Sequence, residues 1–342
     1  MMTVRGGLAL YRSLQPPESF AEKVEQRDVF VPVEGLGDLP MTLYTPLGEE
    51  PSTSLLLIHG GTPLGRSDPR LRSLACALAL AGMTVACPQL DALAAFTVEP
   101  ADIDRLVAAC TDLARQPGTE QLAMVGISLG GSYGVIAAGR PELAGRLSTM
   151  ITFGAAADLD TSVIEWLAEP DHDREEALAA RRTLILANLH NLVPLDDVDT
   201  VNLAILAASE ASPGAAATEP STLALSDAGR LVLAVARDPA AADGDTVRRV
   251  FEPLLPQLRA LSPASAALPS DLTIYLAHAV ADPLVPVEQL SQLAYLLDEA
   301  GASVHLEVTE IFTHVDSVSD PNWFAALPLA RFFGRFLDEA DG

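Results

Sequence analysis

The sequence predicts an α/β architecture: a mostly parallel central sheet flanked by helices, with an inserted all-helical cap. Three observations carry this. Between residues 54 and 154, short apolar runs alternate with segments of helical periodicity across short connections, the pattern of a parallel sheet covered on both faces. The apolar runs are continuous, as strands buried on both faces must be. From about 158 to 268 the alternation stops, and helix-like segments follow one another.

Residues 1 to about 28 read as a polar, partly helical lead-in broken at Pro16-Pro17. Runs at 29–33 and 41–45 flank Gly35-Leu36-Gly37-Asp38, a hairpin signature. The run 54–58 is a buried strand that ends in His59-Gly60-Gly61-Thr62. A helix is expected over 69–82, with Leu71, Leu74, Ala75 and Leu78 on one face and Gly82 as its stop. A second buried strand, 83–87, is halted by Pro88. Residues 101–115 place Ile103, Leu106, Val107 and Cys110 at helical spacing, and Pro117-Gly118 ends them. Next come a strand over 121–125, a sharp turn through Ser128, a helix to about 139 and a strand over 147–153.

The expected cap, 158–267, holds helices at 161–168, 174–192, 198–210, 223–237 and 246–261. The chain then returns to the sheet with a strand at 272–277, a helix at 287–300, a strand at 303–308 and a closing helix at 324–337. The division is a lead-in, 1–28, a core of 29–157 and 268–342, and the cap between.

At 342 residues and 49% hydrophobic, the chain can bury a large core. Its 46 acidic residues against 21 basic ones give a formal charge of -25. Such a surface repels phosphate backbones and anionic lipid, so no nucleic-acid partner is expected. Three cysteines, Cys76, Cys87 and Cys110, lack CxxC or Cys/His spacing. That argues against a disulfide framework and a zinc site, and for small buried side chains in a reducing compartment. The first residues hold no secretory signal core, and no apolar run reaches the ~18 residues of a membrane span. A cytoplasmic protein is expected, with no metal and no cofactor. The run Asp196-Asp197-x-Asp199 lacks a calcium-loop pattern and reads as a solvated turn or helix start.

The chemistry centres on Gly126-x-Ser128-x-Gly130, set between a strand and a helix. A turn this sharp needs almost no side chain two residues either side of the serine, and Gly131 lets the following helix approach. A serine hydroxyl becomes a nucleophile only when a base removes its proton, and the base needs an acid to fix its tautomer. Both follow in order. Asp282-Pro283-Leu284-Val285-Pro286 comes after one strand, and Ile311-Phe312-Thr313-His314 after the next. Each falls at a strand's carboxyl end, the edge where open α/β sheets carry their sites.

On these residues the chain resembles the α/β-hydrolase superfamily from about Val29 onward, the cap excepted. The resemblance implies an α/β-hydrolase fold, with Ser128 as nucleophile, Asp282 in its D-x-x-V-P context as acid and His314 as base. It implies oxyanion donors at Gly61, with Gly60 as the alternative, and at Leu129 after the nucleophile. His59-Gly60-Gly61-Thr62 matches only part of the HGGG pattern of one esterase and lipase branch. Dehalogenase and epoxide-hydrolase relatives carry Asp as nucleophile, and dienelactone hydrolases Cys; position 128 is Ser.

Alternatives stand beside each role. Asp158, after the sixth strand, could serve as the acid. His305 competes with His314 but lies inside a strand. His278 reads as a loop hydrogen-bonder, His59 as a brace for the oxyanion loop, and His172 and His190 as surface or packing residues of the cap. Arg66 and Asp68 lie near the oxyanion loop, where a solvated ion pair is the expected fate. The expected function is a carboxylic-ester hydrolase acting on a small to medium, neutral or apolar acyl substrate, given the Leu- and Ala-rich cap. Thioester, amide or peptide, lactone and carbon–carbon bonds fit the same machinery, and a catalytically silent ligand receptor is the non-enzymatic alternative. The oligomeric state is left open.

Overall fold

The computed structural model of the protein describes residues 2–48, 50–116, 119–168, 174–210, 223–237, 243–312 and 326–342. Its strands are β1 (Val24–Val33), β2 (Gly37–Pro46), β3 (Thr53–Ile58), β4 (Met83–Pro88), β5 (Gln121–Ile127), β6 (Thr149–Phe153), β7 (Thr273–Ala279) and β8 (Ser303–Thr309). They form one sheet in the order β1-β2-β4-β3-β5-β6-β7-β8. β1 and β2 are an antiparallel hairpin, with Val33 opposite Gly37, and β2 runs antiparallel to β4. All other pairings are parallel. Every residue of β3 is buried, which is why Leu55–Ile58 form an apolar run; the buried hydroxyls of Thr53 and Ser54 find partners in Asp341 and Thr119.

The helices in chain order are α1 (Met2–Ser13), α2 (Pro69–Ala79), α3 (Asp91–Ala94), α4 (Ala101–Leu113) and α5 (Leu129–Ala138). After them come α6 (Leu159–Ala168), α7 (Arg174–Leu192), α8 (Leu195–Glu210), α9 (Asp227–Arg237), α10 (Gly244–Phe251), α11 (Leu255–Ala260), α12 (Glu288–Glu299) and α13 (Ala326–Ala340). Alternate residues of the central strands (Leu55, Leu57, Ala123, Val125, Ile151) pack with Leu71, Ala75 and Leu78 of α2 and Phe333 and Phe336 of α13. Each large side chain so buried contributes roughly 1.5–3 kcal/mol.

Two expectations are corrected. The lead-in is partly helical, as α1, but its last residues belong to the sheet, since β1 already begins at Val24; α1 itself lies so close to α13 that a Cβ on Gly6 would stand 2.0 Å from the Ala330 carbonyl oxygen. Residues 25–28 are charged or polar and exposed on an edge strand, so no hydrophobic pattern announces them. The helix expected over 246–261 is broken into α10, a 3₁₀ turn at Glu252–Leu254 and α11. Pro253 has no N–H to continue the ladder.

The chain divides into two compact units. One comprises Met1–Ala94, Glu99–Asp158 and Ala260–Gly342; the other comprises Leu159–Arg259 and, separately, Ala95–Val98. The second unit is helical, with Ile185, Val201, Ile205, Leu233 and Val247 fully buried. Asn188, also fully buried, holds the short outlying segment. Its Nδ2 donates to the Phe96 carbonyl at 2.9 Å, and its Oδ1 accepts from the Val98 N–H at 3.0 Å. Asp197 departs from the solvated reading of its acidic run. It is 5% exposed and accepts from the N–H and the hydroxyl of Ser226, at the start of α9. Among the described residues, no helix is long and apolar enough to cross a membrane.

The sheet order also fixes where a site can form. From β3 the chain moves outward through α2 to β4, whereas from β5 it moves the opposite way through α5 to β6. The two connections diverge between adjacent strands, leaving a crevice beyond their carboxyl ends. His59-Gly60-Gly61 leaves β3 at that crevice, and Ser128 leaves β5 there.

Candidate active site

Ser128 is the junction residue between β5 and α5, with φ 52° and ψ -126°. It is one of two described non-glycine residues at positive φ, Phe96 being the other. A conformation this sparsely populated costs about 1–3 kcal/mol and persists only when its surroundings enforce it. They do. The Ser128 N–H donates to the Phe153 carbonyl of β6 at 2.7 Å, and its carbonyl accepts from the Gly131 N–H at 2.8 Å.

The flanking glycines are required for space, not for backbone angle. A Cβ on Gly126 would stand 2.5 Å from the Gly131 Cα, and one on Gly130 would stand 2.2 Å from the His59 carbonyl oxygen. A Cβ on Gly60 would lie 3.2 Å from the Ser128 Cβ, so the glycine loop after β3 runs directly beside the serine. Leu129, as the first residue of α5, has no carbonyl within its helix to receive its N–H. Gly60, Gly61, Ser128 and Leu129 are all partly exposed.

His59 braces this loop. It is fully buried, accepts the Leu90 N–H on Nε2 at 3.1 Å, and therefore carries its proton on Nδ1, which donates to the Gly60 carbonyl at 2.7 Å. Burial holds its pKa below the ordinary value. Both ring nitrogens are used, and the bond to Gly60 is the bracing of this loop that the sequence suggests. Arg66 and Asp68 are structural too. Arg66 pairs with Asp28 and Thr42, and Asp68 caps α2 through the Arg70 N–H while accepting from Thr62.

Asp282 follows β7, with its side chain fully buried. Its Oδ1 accepts the N–H groups of Leu284 and Val285, each at 2.9 Å. This explains the spacing of the D-x-x-V motif: an aspartate can reach the N–H groups two and three residues ahead and lock its own turn. His278, at the end of β7, has Nε2 2.8 Å from the Val285 carbonyl and 3.5 Å from Asp282 Oδ2. Asp158 follows β6 and is partly exposed; its N–H, with that of Ala157, donates to Gln289. His305 stacks on Tyr275 within the sheet, centroids 4.8 Å apart. His190 hydrogen-bonds Asn191 on α7. His314 and His172 lie outside the described residues.

Two site relationships were missed by sequence reasoning. The close seat of Gly130 against His59 leaves no signal, because the same glycine is already explained by the tight turn. The pairing of His278 with the Asp282 loop was readable only as an i,i+4 spacing at a strand end.

Compared with solved structures, the chain is similar in fold to several of known activity. EstE5, in a crystal soaked with p-nitrophenyl butyrate, matches over 99% of this chain and 90% of its own, at 16% identity and a TM-score of 0.56. The Pyrococcus furiosus esterase Pf2001 matches over 94% of this chain and 96% of its own, at 14% identity and a TM-score of 0.52. An acylaminoacyl peptidase of Pyrococcus horikoshii matches over 96% of this chain at 14% identity and a TM-score of 0.53, but this chain spans only 42% of it. No family model and no curated protein matches the sequence. Sheet order, strand-turn-helix junction and these likenesses define the α/β-hydrolase fold.

Proposed function

We propose that the protein is a serine hydrolase acting on carboxylic esters through Ser128, His314 and Asp282. His314 takes the hydroxyl proton as Ser128 attacks the acyl carbon, then delivers it to the departing alcohol. Asp282 orients His314 and balances its transient charge. The N–H groups of Leu129 and Gly61, with Gly60 as the alternative, hold the oxyanion, an effect worth about 2.7–4 kcal/mol per donor. Water then releases the acid from the acyl-enzyme, with the same histidine as base.

The observation that carries this reading is the serine held at φ 52° beside Gly60 at the divergence of β3 and β5. A strained nucleophile seat is retained where chemistry uses it. The role of His314 rests on the order of residues in the sequence. The esterase neighbours agree with an ester as the bond, and a small to medium acyl group fits the apolar composition of the helical unit. The peptidase neighbour makes an amide the second reading. The three cysteines, all free and buried, support a reducing cytoplasmic setting.

The test is covalent labelling by a fluorophosphonate, followed by intact mass on wild type and Ser128→Ala. One adduct on the wild type and none on the variant is the expected result. A folded wild type that takes no label would overturn the reading in favour of a silent receptor. A panel of p-nitrophenyl esters against acyl-aminoacyl p-nitroanilides then separates ester from amide.

A further inference from the structure

We infer that His278 is a positioning residue for the acid of the proposed triad; the inference rests on the serine-hydrolase reading above. Both side chains are fully buried, and His278 Nε2 lies 2.8 Å from the Val285 carbonyl and 3.5 Å from Asp282 Oδ2. His278 Nδ1 is buried and makes no hydrogen bond among the described residues. A carbonyl can only accept, so the ring proton sits on Nε2 and is given to Val285.

The result is a closed circuit. β7 presents His278, His278 grips the Val285 carbonyl, and the Val285 N–H in turn grips Asp282 Oδ1 at 2.9 Å. The four residues from Asp282 to Val285 are thereby pinned to the last turn of a buried strand. At 3.5 Å the imidazole flanks Oδ2 without capturing it, because the stronger bond goes to the carbonyl. One carboxylate oxygen is fixed by main-chain donors, which sets the direction of the other. His278 touches neither substrate nor nucleophile; it acts through the direction in which Asp282 points. A fully buried imidazole with one nitrogen unused is a poor choice for packing alone, where Leu or Phe would avoid the desolvation of that nitrogen.

The test compares His278→Gln, His278→Asn and His278→Ala, with kcat and KM expressed per fluorophosphonate-titrated site so that loss of folded protein is removed. Gln can bring an N–H to the place of Nε2, whereas Asn is too short. Groups that orient the ligands of a metal typically carry 10–100-fold effects, and the same scale is expected for a group that orients a triad acid. We therefore expect kcat per site to fall roughly 30-fold in the Ala and Asn variants, with KM changed less than about threefold, and the Gln variant to recover most of the loss. Equal kcat per titrated site in all four proteins would overturn the positioning role while leaving the hydrolase reading intact. A folded wild type that neither labels nor turns over ester would overturn the hydrolase reading first, and this inference with it.

Discussion

The carbonyl oxygen of His59 stands 2.2 Å from the point where a Cβ on Gly130 would begin. The helix that follows Ser128 is therefore seated directly on the peptide that leads into Gly60 and Gly61. The two segments approach again where a Cβ on Gly60 would lie 3.1 Å from the Ile127 carbonyl oxygen. His59 reinforces the contact from the other side by gripping the Gly60 carbonyl and the Leu90 N–H.

Gly130→Ala should accordingly do more than crowd a turn. The obstructing atom is backbone, so relief requires the His59–Gly60 peptide to move, at a cost near the upper end of the usual 1–3 kcal/mol for overpacking. We expect a urea midpoint shift of that size, and fluorophosphonate labelling slowed at least about tenfold because the proposed oxyanion donors move with the peptide. A variant of normal stability that labels at the wild-type rate would show that the two segments are not coupled.

The strain at Ser128 gives a second, opposite prediction. Its side chain makes no capping bond to α5, so replacing it with Gly removes the penalty of φ 52° without costing the helix a cap. Ser128→Gly should be more stable than Ser128→Ala by about 1 kcal/mol, after part of the relief is offset by glycine's freedom in the unfolded chain. Paired urea melts of these two variants measure the strain directly. Identical midpoints would mean that the surroundings do not hold the serine under load.

These features show which parts of the molecule can be read in sequence. Buried parallel strands are legible because both faces are apolar, so β3 to β7 stand within two residues of the expected spans. The serine turn is legible because its steric demand falls on fixed positions, Gly126 and Gly130. The first half of edge strand β1 is not, since residues 25–28 face water and carry no pattern, whereas 29–33 do. Neither is the inclusion of Ala95–Val98 in the helical unit, because its hydrogen bonds run to Ala187 and Asn188, some ninety residues away in sequence. Contacts between main chains, such as Gly130 with His59, leave only a glycine behind, and a glycine has many explanations.

Asp102 yields a pH-dependent prediction. It is 1% exposed; Oδ1 bonds Arg105 at 2.8 Å, and Oδ2 has no partner among the described residues. Burial outweighs the arginine and raises its pKa from 3.8 to about 6. The folded state therefore holds this proton more tightly than the unfolded chain. The resulting stabilisation is present in full below 3.8 and is lost as pH rises through about 6. His59 works the other way: its lowered pKa means that its contribution is present above the ordinary value near 6.5 and fades as pH falls. The wild-type profile mixes the two, so the informative quantity is the difference from Asp102→Asn. That variant should gain on the wild type by on the order of 2–3 kcal/mol between pH 4 and pH 7.5, measured from urea midpoints. A constant difference across the range would remove Asp102 as the titrating group.

The cysteines should be silent in the native protein. Desolvation pushes the Cys76 thiol up to about 11 and Cys110 to about 12, and raises Cys87 further. A thiol so held supplies almost no thiolate at pH 8 and is out of reach of a bulky reagent. We expect an aromatic disulfide reagent to titrate none of the three thiols in buffer and all three in urea. Fast reaction of one thiol in buffer would mark a local opening around it.

Asn188 offers the sharpest test of the helical unit. It is fully buried, donates to Phe96 and to Leu184, and accepts from Val98. Phe96 is held at φ 58°, a region that an aromatic residue avoids unless constrained. Asn188→Ala removes the constraint and strands a carbonyl and an N–H, each costing about 1–3 kcal/mol while they stay buried. The cheaper response is for residues 95–98 to leave their seat and find water. The variant should therefore lose less stability than the sum of its lost bonds, yet become sensitive to proteolysis between 95 and 98, roughly tenfold or more faster than the wild type. Asn188→Asp keeps the acceptor for Val98 but not the donor for Phe96, and should fall between the two. If all three proteins are cut at the same rate, the segment is held by packing of the Phe96 ring, and Phe96→Ala, not the asparagine variants, should release it.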